Sequence, residues 1–463
     1  MQHNYQMNKF LVGEFMVRMQ LSGGYNLNLA GKPSLDITTA LDLPSLISVK
    51  ASDLQGIKPM MKVKEGDSVK AGDVLFINKL NDKVKIVAPF DGTIKEIKRG
   101  NRRVLLEVII DVSGKQSVSQ FKSRSIDEIS ENDLINHLLD TGSWAFIRQY
   151  PYNVIADPEL RPRDIYIETL TNEPHVPDMN FVIKDQQEAF EKGVQLLKKI
   201  TPGNIFMGLA NTEVEIPEWL RSLKDTTPVY TNNIYPAGEA AVQSYNIAPM
   251  KKDEVIWHIN AQDLIAIANL FDSGKLDYSR VMTVSGSCVN KAKYIKTYIG
   301  SPVKTFLKDG VSSGENRCIS GGIFTGLKIE QDGYMGFYGH SLHVIQEGVE
   351  REFLPFQRPG FEKASFSRVF LSTFFGPESF VQTSSQMGEE RACIACSHCE
   401  DVCPVDIKPQ FLFKTILAED YSMAEKLGVK DCSLCGLCTY VCPSKIDLDE
   451  IISSAQQFLH KEG

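Results

Sequence analysis

Cysteine carries most of the chemistry available to this sequence. Eight of its ten cysteines lie between positions 393 and 442, in two stretches: C-I-A-C-S-H-C-E-D-V-C-P from Cys393, and C-S-L-C-G-L-C-T-Y-V-C-P from Cys432. Each reads C-x2-C-x2-C-x3-C-P. Three closely spaced thiolates on a tight loop can wrap three corners of a four-iron cubane, and small or apolar residues between them let backbone N–H groups reach the sulfurs. In two-cluster ferredoxins the fourth cysteine of each run serves the other cluster. The spelling therefore predicts one [4Fe-4S] cluster on Cys393, Cys396, Cys399 and Cys442, and a second on Cys432, Cys435, Cys438 and Cys403. Pro404 and Pro443 turn the chain away, because proline cannot donate to a continuing helix. Paired C-x2-C also spells zinc sites, but zinc needs neither four cysteines per run nor a following proline, twice over.

No other residue type offers a comparable constellation. His398 lies within the first run and reads as a solvent-facing neighbour. Cys288 and Cys318 stand alone and read as small buried hydrophobes. His340 and His343 form an H-x-x-H pair without a carboxylate motif and read as hairpin surface. Arg99, Arg102 and Arg103 read as a solvated basic turn. No residue is assigned acid–base or nucleophilic work.

The elements around the cysteines imply a multidomain α/β plus β protein. Residues 1–17 read as an extension, with Met16 an alternative start. Residues 18–115 read as a barrel-sandwich hybrid domain: V-K-E-G-D-S-V-K-A-G-D-V-L followed by A-P-F-D-G-T-I is similar to lipoyl and biotinyl carriers. Lys83 lies too close to Ala88-Pro89 for a carrier hairpin, so it is expected to be unmodified. Residues 116–276 read as a Rossmann-like α/β domain, with helices over Asp185–Ile200 and Ala261–Phe271 and strands over Asn204–Leu209 and Val255–Ile259. No G-x-G-x-x-G or P-loop occurs in it.

Residues 277–345 return to strand-like text, over Val281–Ser285, Tyr298–Lys308 and Gly321–Gly326. This text resembles the small β-grasp (SLBB-like) module found beside the flavin domain of respiratory NADH dehydrogenases. Residues 346–385 hold Phe353, Phe356, Phe361, Phe366, Phe370, Phe374, Phe375 and Phe380, read either as packing under neighbouring domains or as a docking face. Residues 386–463 read as a helical ferredoxin domain, with a helix over Phe411–Leu427 interrupted near Glu419–Ser422.

Bulk properties exclude several functions. At 463 residues the chain exceeds one hydrophobic core, and 43% hydrophobic with 23% charged residues is ordinary globular composition. A formal charge of −8 argues against nucleic acid as a partner. No apolar run approaches the ~18 residues that span a bilayer, and the N-terminus lacks a secretory signal pattern.

Taken in order, G-Y-N-L-N-L-A-G-K-P at 24–33, the barrel text, F-I-R-Q-Y-P-Y-N at 146–153, G-E-N-R-C-I-S-G-G-I-F-T-G at 314–326, E-G-V-E-R-E-F-L and P-G-F-E-K-A-S-F-S-R resemble the NqrA family of sodium-translocating NADH:quinone reductases. The cysteine runs depart from that family and are similar to those of the C subunit of Rnf complexes. The resemblance implies a peripheral iron–sulfur subunit on the cytoplasmic side of the bacterial inner membrane. Its partners would be integral-membrane and flavin-bearing subunits, with quinone as a candidate ligand. An Rnf-like subunit binding NADH and FMN itself is the second reading, and a scaffold with structural clusters the third. FMN is not expected: Thr141-Gly142-Ser143-Trp144-Ala145-Phe146 stands where the Rnf subunit has a glycine-rich loop, and Trp144 would block backbone approach to a flavin phosphate.

Overall fold

The computed structural model describes residues 16–40, 42–114, 121–126, 128–349, 357–385 and 389–462. The expected N-terminal extension therefore lies almost wholly outside the described residues, as do Phe353 and Phe356.

The barrel-sandwich domain packs two small antiparallel sheets face to face. Leu46–Lys50, Leu105–Val112, Gly92–Arg99 and Ser68–Val69 form one, and Pro59–Met61, Val74–Asn78 and Lys85–Val87 the other. Alternation along the strands turns Ile94, Val108, Ile110, Phe76 and Ile86 inward. Lys83 sits in the turn before Lys85–Val87, its Nζ 2.6 Å from Glu159 with both side chains exposed.

The α/β domain holds a seven-stranded sheet in the order Val17–Met19, Thr227–Thr231, Ile205–Leu209, Ile165–Glu168, Ile256–Asn260, Arg148–Tyr150, Val154–Ile155. The first five strands are parallel and the last two antiparallel. Ile205–Leu209 is buried throughout, as a parallel strand covered on both faces must be. Helices Gln187–Ile200 and Ala261–Ser273 pack against each other. Gly193 permits this, since a Cβ there would lie 2.5 Å from Leu264. Asn260 caps the second helix at its start, and Gly274, in the left-handed conformation, ends it.

The β-grasp module is a six-stranded sheet, ordered Leu327–Ile329, Asn316–Ser320, Ser341–Gln346, Ser279–Ser285, Lys293–Tyr298, Ser34–Ala40. The segment before residue 41 thus adds edge strands to two other sheets: Val17–Met19 pairs with Val229–Thr231, and Ser34–Ala40 lies beside Lys293–Tyr298. Two expected strands are not strands. After the turn at Gly300, Val303–Thr305 is a 3-10 turn whose Val303 and Phe306 enter the core, and Gly321–Gly326 is a loop. Glycines at 321, 322 and 326 suit that loop, because Gly321 has φ +103° and the Gly326 N–H donates to the Gly322 carbonyl.

His343 is also not surface. It is buried, 3.1 Å from Ser285 Oγ and stacked on His175, while His340 Nε2 lies 3.4 Å from Arg280 Nη1. Cys288 and Cys318 are buried in the module's core, and Arg99, Arg102 and Arg103 are exposed. The aromatic segment divides between its two readings. Phe366 packs edge-on against Tyr25 and His398, whereas Phe374 and Phe375 are about three-quarters exposed.

Candidate metal centre

The C-terminal domain is built twice from one pattern. Each half begins with a cysteine loop, continues through a short helix (His398–Asp401, then Leu437–Tyr440) and, after its proline, enters a longer helix (Pro409–Leu417, then Leu448–Glu462). Left-handed residues recur at matching positions: Ala395, Ser397 and Asp406 in the first half, Leu434, Gly436 and Lys445 in the second. These turns curl each loop back on itself. The Ala395 N–H reaches 3.4 Å from Cys393 Sγ, and the Leu434 N–H 3.5 Å from Cys432 Sγ. Between the halves, Glu419 is left-handed and splits the expected helix into Pro409–Leu417 and Tyr421–Lys426.

The fold brings the eight cysteines together in two groups of four. Cys393, Cys396, Cys399 and Cys442 line one cavity, with Phe413, Ile446 and Leu448 in its wall. Cys403, Cys432, Cys435 and Cys438 line another, with Val405, Ile407, Leu437 and Ile452. Each group takes three thiols from one run and the fourth from the other. Among the described residues no three His, Cys, Asp or Glu side chains close on one point as a single-ion site would. The thiols ring a void.

The donor set fits a multinuclear cluster. Burial pushes the thiols of Cys399 and Cys403 up to about 11 and that of Cys435 up to about 12, and raises Cys432 and Cys438 as well. Without a cation such groups stay protonated; iron would displace the protons and compensate the thiolate charge. Backbone N–H groups already point at the sulfurs, those of Val405 and Ile407 at Cys403, of Gln410 at Cys399 and of Leu437 at Cys435. His398 stays half-buried, its Nδ1 3.9 Å from Asp401.

The two sites differ in what covers them. Leu434 belongs to an apolar core shared with Tyr150, Val242 and Ile256 of the α/β domain. Tyr235 Oη donates to the Cys435 carbonyl at 2.9 Å and stacks on Phe324, whose carbonyl lies where a Cβ on Gly436 would be. Glu173 holds that loop by accepting from the N–H groups of Phe324 and Thr325 at 2.6 and 3.0 Å. The first loop has no such cover among the described residues: positions 391, 392 and 394–396 are exposed, and Cys396 is the one exposed cysteine of the eight. Glycine in C-G-L-C was a sequence signal for close approach at 436; nothing local marked Tyr235, Glu173 or Phe324.

Ser143–Phe146 is a buried 3-10 turn, and Trp144 points inward, edge-on to Trp257, with Nε1 donating to the Ala156 carbonyl.

Comparison with known proteins places this architecture. Residues 19–113 match the NqrA N-terminal barrel-sandwich hybrid domain, 129–276 the NqrA second alpha/beta domain, and 281–331 the NQRA C-terminal domain. The NqrA protein of the Na(+)-translocating NADH-quinone reductase from Marinomonas sp. is 32% identical over 449 residues, covering 96% of this chain and 100% of that one. The chain belongs to the NqrA family. NqrA relatives from Saccharophagus degradans (32% identical) and Yersinia pestis (30%) each cover 96% of this chain and 100% of their own length. Residues 392–446 match a 4Fe-4S dicluster domain. The three NqrA domains and the iron–sulfur domain are thus carried on one chain. Among solved structures, an NAD+-reducing [NiFe]-hydrogenase overlaps 47% of each chain at TM-score 0.32 and 12% identity, too distant to bear on function.

Proposed function

We propose that this chain is a peripheral electron-transfer subunit of a membrane-bound, Na+-translocating NADH-quinone reductase, holding two [4Fe-4S] clusters on the cytoplasmic side of the membrane. Cys393, Cys396, Cys399 and Cys442 hold one cluster; Cys403, Cys432, Cys435 and Cys438 hold the other. The observation that carries the proposal is the pair of cavities, each walled by three thiols of one run and the fourth of the other. Bound there, the clusters supply single-electron transfer.

The chain's own residues do the rest. The curled loops aim N–H groups at the sulfurs, which favours the more negative, reduced state. The apolar walls and the clamp of Tyr235 and Phe324 keep water from the second site. Among the described residues no helix is long and apolar enough to cross a membrane, so attachment falls to integral-membrane partner subunits. Electrons come from a flavin-bearing partner rather than from NADH bound here, since the α/β domain carries no G-x-G-x-x-G or P-loop to cradle a nucleotide phosphate.

Anaerobic reconstitution should give about eight irons and eight acid-labile sulfides per chain, as two four-iron clusters require. One or two zinc ions without visible absorption would overturn the assignment. Cys403→Ser should damage the cluster seated on Cys432, Cys435 and Cys438, and loss confined to the other cluster would refute crossed ligation. Dithionite should bleach the isolated chain, whereas NADH should not; one flavin per chain with rapid bleaching by NADH would favour the Rnf-like reading instead.

A further inference from the structure

The internal repeat allows the two cysteine loops to be compared position by position. In the second half the loop is half-buried against other parts of this chain: Leu434 packs against the apolar cluster shared with the α/β domain, Gly436 meets Phe324, and Tyr235 bonds the Cys435 carbonyl. In the first half the equivalents of Leu434 and Gly436 are Ala395 and Ser397, and among the described residues no other domain covers positions 394–396. Ile394 stands 68% exposed where the second half has the polar, half-buried Ser433. The loop is nevertheless fixed. The Arg391 N–H donates to the Ser444 carbonyl at 2.9 Å, and Ser444 Oγ donates to the Ala392 carbonyl at 3.0 Å.

This loop of mostly small residues puts exposed Ile394 and Cys396 at the lip of the four-thiol cavity that both help to line. Ala392 and Ala395 add little bulk, so another protein's surface can approach the thiols closely, and electron tunnelling falls steeply with distance.

We propose that residues 391–396 are the docking surface for a partner protein carrying a one-electron redox centre near its own surface, and that the site on Cys393, Cys396, Cys399 and Cys442 is the port through which electrons from that centre enter the chain. This rests on the functional reading above and adds the place of exchange. One electron crosses per event: the reduced centre on one side is oxidised by one electron, the oxidised centre on the other is reduced by one, and no bond or proton changes hands. The partner's contact surface is shallow and apolar at its centre, to receive Ile394, with a polar rim facing Arg391 and Glu390.

The test uses the assembled complex purified with Ile394→Asp, with Leu80→Asp on the exposed barrel surface as control. Ile394→Asp should keep wild-type iron content and the dithionite-reduced electron paramagnetic resonance of both clusters, while the rate of cluster reduction by NADH falls tenfold or more. Leu80→Asp should change neither. Amide hydrogen exchange gives an independent readout that needs no variant: residues 391–396 should exchange more slowly in the complex than in the isolated chain. Intact clusters with undiminished NADH-driven reduction, or a loop that exchanges equally in both states, would overturn the proposal. Concentration-dependent protection in the isolated chain would also overturn it, by assigning the surface to a second copy. Wild-type complex without clusters would instead bring down the functional reading itself.

Discussion

Gly436 and Ser397 occupy the same position in the two halves of the cluster domain, with φ of +74° and +66°. Ser397 tolerates that backbone because its loop faces solvent. Gly436 has no such freedom, since a Cβ would lie 2.6 Å from the Phe324 carbonyl oxygen. Gly436→Ser should therefore cost about 1–3 kcal/mol from backbone strain alone, and more as Phe324 is pushed aside. Chelator-challenge kinetics followed by electron paramagnetic resonance should show the second cluster lost faster and the first unchanged. Ser397→Gly should leave both clusters intact. Equal retention in Gly436→Ser would mean that the Phe324 loop yields without cost, and that the clamp does not protect the site.

Between elements, a buried ion pair joins Arg280, on strand Ser279–Ser285, to Asp263, in the first turn of helix Ala261–Ser273. It fastens the β-grasp module to the α/β domain. Burial pushes the Asp263 carboxyl up to about 6 even against the pull of Arg280 and Arg148, and removing Arg280 would leave that buried carboxyl without its partner. Arg280→Met should destabilise the chain by about 3–5 kcal/mol by stranding a buried charge, while Arg280→Met with Asp263→Leu should recover most of the loss. Denaturant midpoints of the cluster-loaded chain would check this, and equal loss in both variants would show packing rather than charge at work. This joint was invisible in the sequence, as were the edge strands Val17–Met19 and Ser34–Ala40, because each depends on a partner far away along the chain. What could be read was local: the continuous apolar run Ile205–Leu209, the helix ended by Gly274, and the cysteine spacing. The Gly321–Gly326 loop was misread because its apolar Ile323 and Phe324 mimic a strand, although Phe324 serves the clamp on the second cysteine loop. His343 was misread because a polar residue in a short hairpin gives no sign of the His175 stacked on it.

For the molecule as a whole, the junction between the α/β body and the cluster domain gathers charge. Glu168 accepts from His258 Nδ1 at 2.6 Å and lies 3.7 Å from Arg148; burial opposes its charge, but His258 and Arg148 hold its carboxyl well below the usual range. Glu239 lies nearby without comparable help. Burial, then the charges of Glu168 and Glu173, push it up to about 8, with Arg148 pulling back only in part. The sign follows from proton linkage. A carboxyl with a raised pKa binds more protons folded than unfolded, so its contribution is complete below the ordinary carboxylate range and is lost as pH rises toward 8. Glu239→Gln fixes the neutral form and removes that loss. Its advantage over wild type should therefore widen between pH 5.5 and pH 8.5, by on the order of 2–4 °C in apparent melting temperature. Melts of the cluster-loaded chain at one scan rate under argon, at both pH values, provide the comparison. An offset independent of pH would show that Glu239 is already ionised in the folded chain at pH 5.5, and that the charge at the junction is balanced by Arg148 and His258.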